Sequence, residues 1–217
     1  MKNCLIVFAK EPQSGRVKTR LGHFLSDRQC LGLYKAFLRD TKAITRDINC
    51  SFKILAYDSS LGEPRYLKKV FPKFIFYNQK GKDLGERMHQ AFEWAKNLGA
   101  QKIVMIGSDA PTLPVRYIKK AFIELNNSDV VLGPSYDGGY YLIGLKIPCQ
   151  PLFKNVAWSS DKTLAMTLRN ARSFKKRVRL LRKWRDIDDA ISLKYLQKNL
   201  RQNKNQAFST KKFLKNL

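Results

Sequence analysis

The segment Lys102-Ile-Val-Met-Ile-Gly-Ser-Asp-Ala-Pro-Thr-Leu-Pro114 constrains this chain more than any other. Ile103 to Ile106 is apolar without polar alternation, the pattern of a parallel strand covered on both faces. Gly107-Ser108-Asp109 ends the run abruptly, and Pro111 and Pro114 prevent the sheet from continuing, because proline has no amide to donate. The fold that accommodates such a strand is α/β, and in open α/β sheets ligands bind outside the carboxyl ends of the strands. Asp109 then either faces a metal or nucleotide, or begins an Asx-turn or caps the helix near Val115.

The remaining elements follow the same alternation. Cys4 to Ala9 is a first apolar strand, Ser26 caps a long helix through about Arg46, and Phe52 to Tyr57 and Phe74 to Tyr77 are further strands. A short helix lies near Arg65 to Val70. Asp83 caps a helix to about Leu98, and a helix from Val115 to Asn126 leads to a strand at Asp129 to Gly133. Val156 to Thr163 opens another helix, with Ser159 or Ser160 as cap. Strands alternating with helices predict one Rossmann-like α/β domain over residues 1–202, with a mostly parallel central sheet flanked by helices. The basic tail, residues 203–217, is expected to pack loosely.

Three stretches carry chemistry. After the first strand, Lys10-Glu-Pro-Gln-Ser-Gly-Arg-Val-Lys-Thr-Arg-Leu-Gly22 offers Lys10, Arg16, Lys18 and Arg20 around Gly15. Glycine permits close backbone approach, and Lys and Arg supply charge and donors, which suits phosphates. The loop is neither a Walker A sequence nor a Rossmann G-x-G-x-x-G. Asp137-Gly138-Gly139 is first a turn signal, and it also offers backbone amides and a carboxylate to a bound substrate. Asp186, Asp188 and Asp189 precede a helix from Ala190 to about Leu200, where they can cap it or complete a divalent-metal site with Asp109.

Lys and Arg number 42 against 17 for Asp and Glu, a net charge of +25, which favours polyanions, anionic surfaces or phosphorylated small molecules. The basic stretch Arg169 to Arg185, with Val178, Leu180 and Trp184 alternating, reads as an edge strand with a solvated face. It is also the candidate contact for an anionic surface or nucleic acid. The cysteines at 4, 30, 50 and 149 form no C-x-x-C pair, which argues against structural zinc and suits a reducing cytoplasm. The short apolar start is not expected to be a signal peptide, and no apolar run is long enough to span a bilayer.

Read together, Phe8-Ala-Lys-Glu-Pro, Gly15-Arg-Val-Lys-Thr-Arg-Leu21, Asp83-Leu-Gly-Glu-Arg-Met88, Gly107-Ser-Asp-Ala-Pro-Thr-Leu-Pro114, Gly133-Pro, Asp137-Gly-Gly-Tyr-Tyr-Leu-Ile-Gly-Leu145, Trp158-Ser159 and Asp186-Ile-Asp188 stand in a fixed order. This order resembles a bacterial glycosyltransferase-like family, the selenodomain-associated transferases of the nucleotide-diphospho-sugar transferase superfamily. The resemblance implies a GT-A-type fold and an enzyme that binds a nucleotide-activated donor. It implies Lys10, Gly15, Lys18 and Arg20 at the nucleotide phosphates, and Mg²⁺ or Mn²⁺ on Asp109 and Asp188. It further implies that Asp137, Gly138, Gly139 and Trp158 bind the acceptor, with Lys18, Asp109 and Asp137 catalytic. Asp189 departs from the small hydroxyl residue more usual there and competes with Asp188 as ligand. The resemblance implies first glycosyl transfer from a nucleotide-sugar to an unknown acceptor, the activity its family label carries, with nucleotidyl transfer from a nucleoside triphosphate to a phosphorylated acceptor, releasing pyrophosphate, as the alternative. A non-catalytic protein that binds nucleic acid or an anionic surface is the reading from a different class.

Overall fold

A computed structural model of the chain describes residues 1–203 and 206–217. A sheet of seven strands forms its centre: β1 (Asn3–Lys10), β2 (Phe52–Asp58), β3 (Ile75–Asn78), β4 (Lys102–Gly107), β5 (Val130–Pro134), β6 (Tyr140–Leu145) and β7 (Val178–Leu180). Their order is β3-β2-β1-β4-β6-β5-β7, and every neighbouring pair is parallel except those made by β6, which runs antiparallel to both β4 and β5. The helices are α1 (Asp27–Arg46), α2 (Arg65–Val70), α3 (Leu84–Asn97), α4 (Val115–Glu124), α5 (Thr163–Ser173), α6 (Ala190–Gln202) and α7 (Phe208–Lys215).

The apolar runs are buried on both faces because each face has its own helical cover. Leu5 and Val7 of β1, with Val104 and Ile106 of β4, pack with α1, α2 and α4; Cys4, Ile6, Ile103 and Met105 pack on the other face with α3 and α5. A third core joins the outer side of α1 to α6 and α7 through Leu33, Phe37, Leu196 and Phe213. The tail is therefore more firmly held than the sequence suggests. The buried Asp40 carboxylate on α1 accepts the Ser209 and Thr210 amides and the Thr210 hydroxyl at the start of α7, while the Phe213 ring lies over Gly32, leaving no room for a side chain there.

Two local expectations shift. α5 begins at Thr163 with no side-chain cap; Ser159 takes a left-handed φ of 59°, and the Ser160 hydroxyl donates to the Ala157 carbonyl. The basic edge strand is only Val178–Leu180, with Trp184 reaching β5 through an irregular bridge to Ser135.

The chain winds from β1 outward to β2 and β3, then crosses to β4 on the other side of β1. The sheet's switch point therefore lies between the carboxyl ends of β1 and β4, where Lys10 and Asp109 emerge.

Candidate active site

An open cleft of about 640 Å³ occupies that switch point, with walls from the β1 loop, the β4 end, the Asp137 turn, the segment Trp158 to Asp161, α3 and the Asp186 to Asp188 segment. Its centre is a cation with two acids. The loop after β1 turns through a left-handed Lys18, φ 53° and ψ 35°, a conformation that costs a non-glycine residue about 1–2 kcal/mol and is tolerated where other contacts hold it. Those contacts are made by the ammonium. Lys18 Nζ lies 2.5 Å from Asp109 Oδ1 and 2.9 Å from Asp188 Oδ1, and donates to the Ile187 carbonyl at 2.7 Å. Its side chain is 3% exposed, so burial disfavours its charge; the pull of Asp109 and Asp188 exceeds that penalty and holds the proton more tightly than in a free lysine.

The acids arrive from opposite ends of the chain. Asp109 follows β4, and its carbonyl accepts the Ile187 amide, which fastens the Asp186 to Asp188 segment across the end of the sheet. Ile187 is buried in the third core while Asp186 and Asp188 line the cleft. Burial, followed by the charges of Asp109 and Asp188, raises the Asp186 carboxyl to about 7. Burial also raises Asp109; Lys18 opposes the shift and Asp188 adds to it.

Asp189 does not belong to this group. Its carboxylate accepts the Ser192 amide at 2.7 Å, and Ser192 reciprocates at the Asp189 amide, a capping box on α6. Asp188 meets Lys18, whereas Asp189 caps the helix.

The other anticipated residues divide between cleft and scaffold. Lys10, Arg20, Asp137, Gly139 and Trp158 line the cleft together with Lys18, Asp109 and Asp188. Gly15, φ 69°, lies beside the Asp27 carboxylate and does not line it. Gly138 is accounted for by packing: at φ 87° its Cα faces the Asp161 backbone so closely that a Cβ would collide with it. Asp137 Oδ1 accepts the Gly139 amide at 3.0 Å, an Asx-turn that aims the exposed carboxylate along the cleft.

The sequence reading left Tyr34 and Ser108 out of the site and did not favour Arg87 as a ligand; all three line the cleft, as do Arg16 of the basic loop and Asp186 of the acidic segment, both of which it offered as candidates. The Tyr34 hydroxyl accepts the Lys10 amide at 2.9 Å and meets Ser108 Oγ at 3.1 Å, tying the ends of β1 and β4 together. Arg87 is held by Asp58 at 3.2 Å. Tyr34 sits within an apolar helical stripe, which gives no signal of a cleft role.

Asp109, Asp186 and Asp188 offer the hard oxygen donors that Mg²⁺ and Mn²⁺ prefer, and magnesium commonly uses one or two carboxylates, with phosphates and waters completing its shell. The donor set fits such an ion in kind. Among the described residues no three acidic, histidine or cysteine side chains gather closely enough to enclose a metal by themselves, and Lys18 fills the space between Asp109 and Asp188. No helix among the described residues is long and apolar enough to cross a membrane.

Comparison with known proteins agrees with this architecture. A Desulfovibrio desulfuricans G20 protein, provisionally described as a nucleotide-diphospho-sugar transferase, superposes with a TM-score of 0.91 at 30% identity, covering 100% of this chain and 95% of its own. Rv0371c of Mycobacterium tuberculosis H37Rv, solved in complex with manganese, shares the fold alone: TM-score 0.53 and 13% identity over 90% of this chain and 98% of its own. The 2-phospho-L-lactate guanylyltransferase of Methanocaldococcus vulcanius is 29% identical over 143 residues, 65% of this chain and 61% of that enzyme, so the match spans less than two thirds of the relative's length. Residues 42–160 match the family described as "Uncharacterized protein conserved in bacteria (DUF2064)". The chain thus belongs to the bacterial family DUF2064, within the nucleotide-diphospho-sugar transferase superfamily whose fold it carries.

Proposed function

We propose that the chain is a nucleotidyltransferase, which joins a nucleoside monophosphate from a nucleoside triphosphate to a phosphorylated acceptor and releases pyrophosphate. One observation carries this reading: a buried, charged Lys18 clamped between Asp109 and Asp188 at the switch point of a nucleotide-binding fold, with Lys10, Arg16 and Arg20 lining the same cleft. Lys10, Arg16, Lys18 and Arg20 would bind the triphosphate and oppose the charge that grows on the departing pyrophosphate. An acceptor phosphate oxygen would attack the α-phosphorus while the bond from that phosphorus to the bridging oxygen breaks. Asp109 and Asp188 would hold Mg²⁺ or Mn²⁺, which when bound supplies charge neutralisation at the phosphates. Asp137 and Trp158, which line the same cleft, would position the acceptor.

The guanylyltransferase activity of the Methanocaldococcus relative favours this reaction over glycosyl transfer. Transfer of a sugar from a nucleotide-sugar is the second reading, supported by the description of the Desulfovibrio protein. The experiment is a melting-temperature screen of triphosphates and nucleotide-sugars with Mg²⁺ or Mn²⁺, followed by an assay of the released group. Stabilisation by a triphosphate, with pyrophosphate release on adding a phosphorylated acceptor, supports the proposal; stabilisation by nucleotide-sugars alone transfers support to glycosyl transfer.

A further inference from the structure

Just outside the acidic lip of the cleft stands an arginine with no bonded partner. The Arg185 guanidinium carbon lies 4.5 Å from the centre of the Tyr136 ring and 4.6 Å from that of Tyr195, and Lys183 Nζ lies 5.8 Å from the Tyr136 ring. Both rings are largely in water, Tyr136 58% exposed and Tyr195 50%. Among the described residues the Arg185 side chain makes no hydrogen bond or ion pair, and its Nε is buried without a partner. Asp186, Asp188 and Asp189 follow it directly in the chain, a setting that ordinarily draws an arginine into an ion pair. Here the acids have other engagements: Asp188 is bonded to Lys18, Asp186 faces Ser135 and the cleft, and Asp189 is bonded to Ser192, the charge of Arg185 being only the smallest of the causes that lower its carboxyl.

Two aromatic faces packed against one guanidinium restrain it at little further entropic cost, and its terminal nitrogens, bonded to no side chain among the described residues, remain donors for an anion. The neighbours of this group are the cleft's own residues, since Asp137 follows Tyr136 and Asp186 follows Arg185. We infer that Tyr136, Arg185 and Tyr195, with Lys183, form an anion subsite beside the cleft that holds an anionic group of the small-molecule acceptor distinct from the phosphate that attacks. The inference rests on the transferase reading for the acceptor's role, although the anion site itself does not. A single arginine and a single lysine at a cleft mouth suit one small anionic group better than the repeating backbone of a nucleic acid.

Titration of inorganic phosphate into the full-length chain by calorimetry tests the subsite, with R185A, R185K, Y195A and R20A compared against the unmodified protein. R185A is expected to weaken the rim phosphate site by roughly tenfold or more, the equivalent of one charge-assisted contact, with R185K recovering part of the loss. R20A should weaken phosphate binding within the cleft and leave the Arg185-dependent binding step unchanged. Y195A, which keeps the charge and removes one restraining face, covers the case in which R185A does not fold. Phosphate affinity unchanged in R185A, or in Y195A where R185A is unfolded, overturns the inference. So does retention of a thymidine oligonucleotide that falls with R185A while phosphate binding does not, since the surface is then a nucleic-acid contact. If no triphosphate binds but phosphate binding still depends on Arg185, the transferase reading fails and the anion site stands.

Discussion

Lys18, on the loop after β1, holds its ammonium 2.5 Å from the Asp109 carboxylate that follows β4. This pair closes the switch point from both sides, and Asp188 completes it at 2.9 Å. Removing the lysine leaves carboxylates crowded together without a counter-charge. Lys18→Ala should therefore destabilise the fold by about 2–3 kcal/mol, less than for a fully buried pair because the Asp109 and Asp188 side chains are 40% and 39% exposed. Denaturant unfolding measures this. Lys18→Gly should be the more stable of the two variants by about 1 kcal/mol, because glycine accepts the left-handed backbone without strain. Equal stabilities would show that the backbone strain is absent.

Asp186 adds a pH signature of defined sign. Its carboxyl is raised to about 7 by burial and by Asp109 and Asp188, whereas in an unfolded chain it titrates near about 4. Between those values the unfolded chain has released a proton that the fold retains. Stability contributed by this group therefore falls as pH rises from about 4 to about 7 and stays low above that. Asp186→Asn should flatten this slope and raise the melting temperature at neutral pH by roughly 2–8 °C, the equivalent of about 1–2 kcal/mol after allowance for solvent screening. A metal-free thermal scan across this range is the measurement, and an unaltered slope would refute the assignment.

Adjacent aspartates should separate cleanly. Asp189→Ala removes the α6 cap and should cost about 1 kcal/mol while leaving triphosphate affinity in the presence of Mn²⁺ intact. Asp188→Ala should abolish the Mn²⁺-dependent part of that affinity. Calorimetric titration of both variants decides, and the converse pattern would reverse the assignment of the two residues.

At the far end of the chain, Asp40→Ala should release α7, because the carboxylate is the shared acceptor for two amides and a hydroxyl at its start. A loss of about 2–3 kcal/mol is expected, since three donors lose a charged partner. Limited proteolysis should then cut within the C-terminal residues well before the rest of the protein is attacked.

The sheet was legible because its strands announce themselves: Ile103 to Ile106 and Cys4 to Ala9 have no reading but burial on both faces, and the acid after β4 falls where the winding places a ligand. The membership of the cleft was only partly legible. Lys18 was expected at a phosphate, and nothing in a basic loop foretells that its ammonium meets Asp188 from the other end of the chain. Asp188 and Asp189 are chemically identical neighbours, and only the direction of the chain entering α6 separates a cleft carboxylate from a cap. The tail looked loose because its anchor, Asp40, lies in the middle of a helix, where a lone acid reads as surface.

The single reversed strand has an evolutionary consequence. Because β6 runs against β4 and β5, its first residue, Tyr140, lies at the same edge of the sheet as the last residues of β4, and the connection from Pro134 to Tyr140 passes the cleft, which Asp137 and Gly139 line. Residues could be gained, lost or exchanged in that short return without rethreading the sheet or disturbing the Lys18 and Asp109 junction. The architecture thus leaves one wall open to diversification while the Lys18 and Asp109 junction stays fixed, a division that, on the proposed reading, would let related chains adopt different acceptors on one inherited frame.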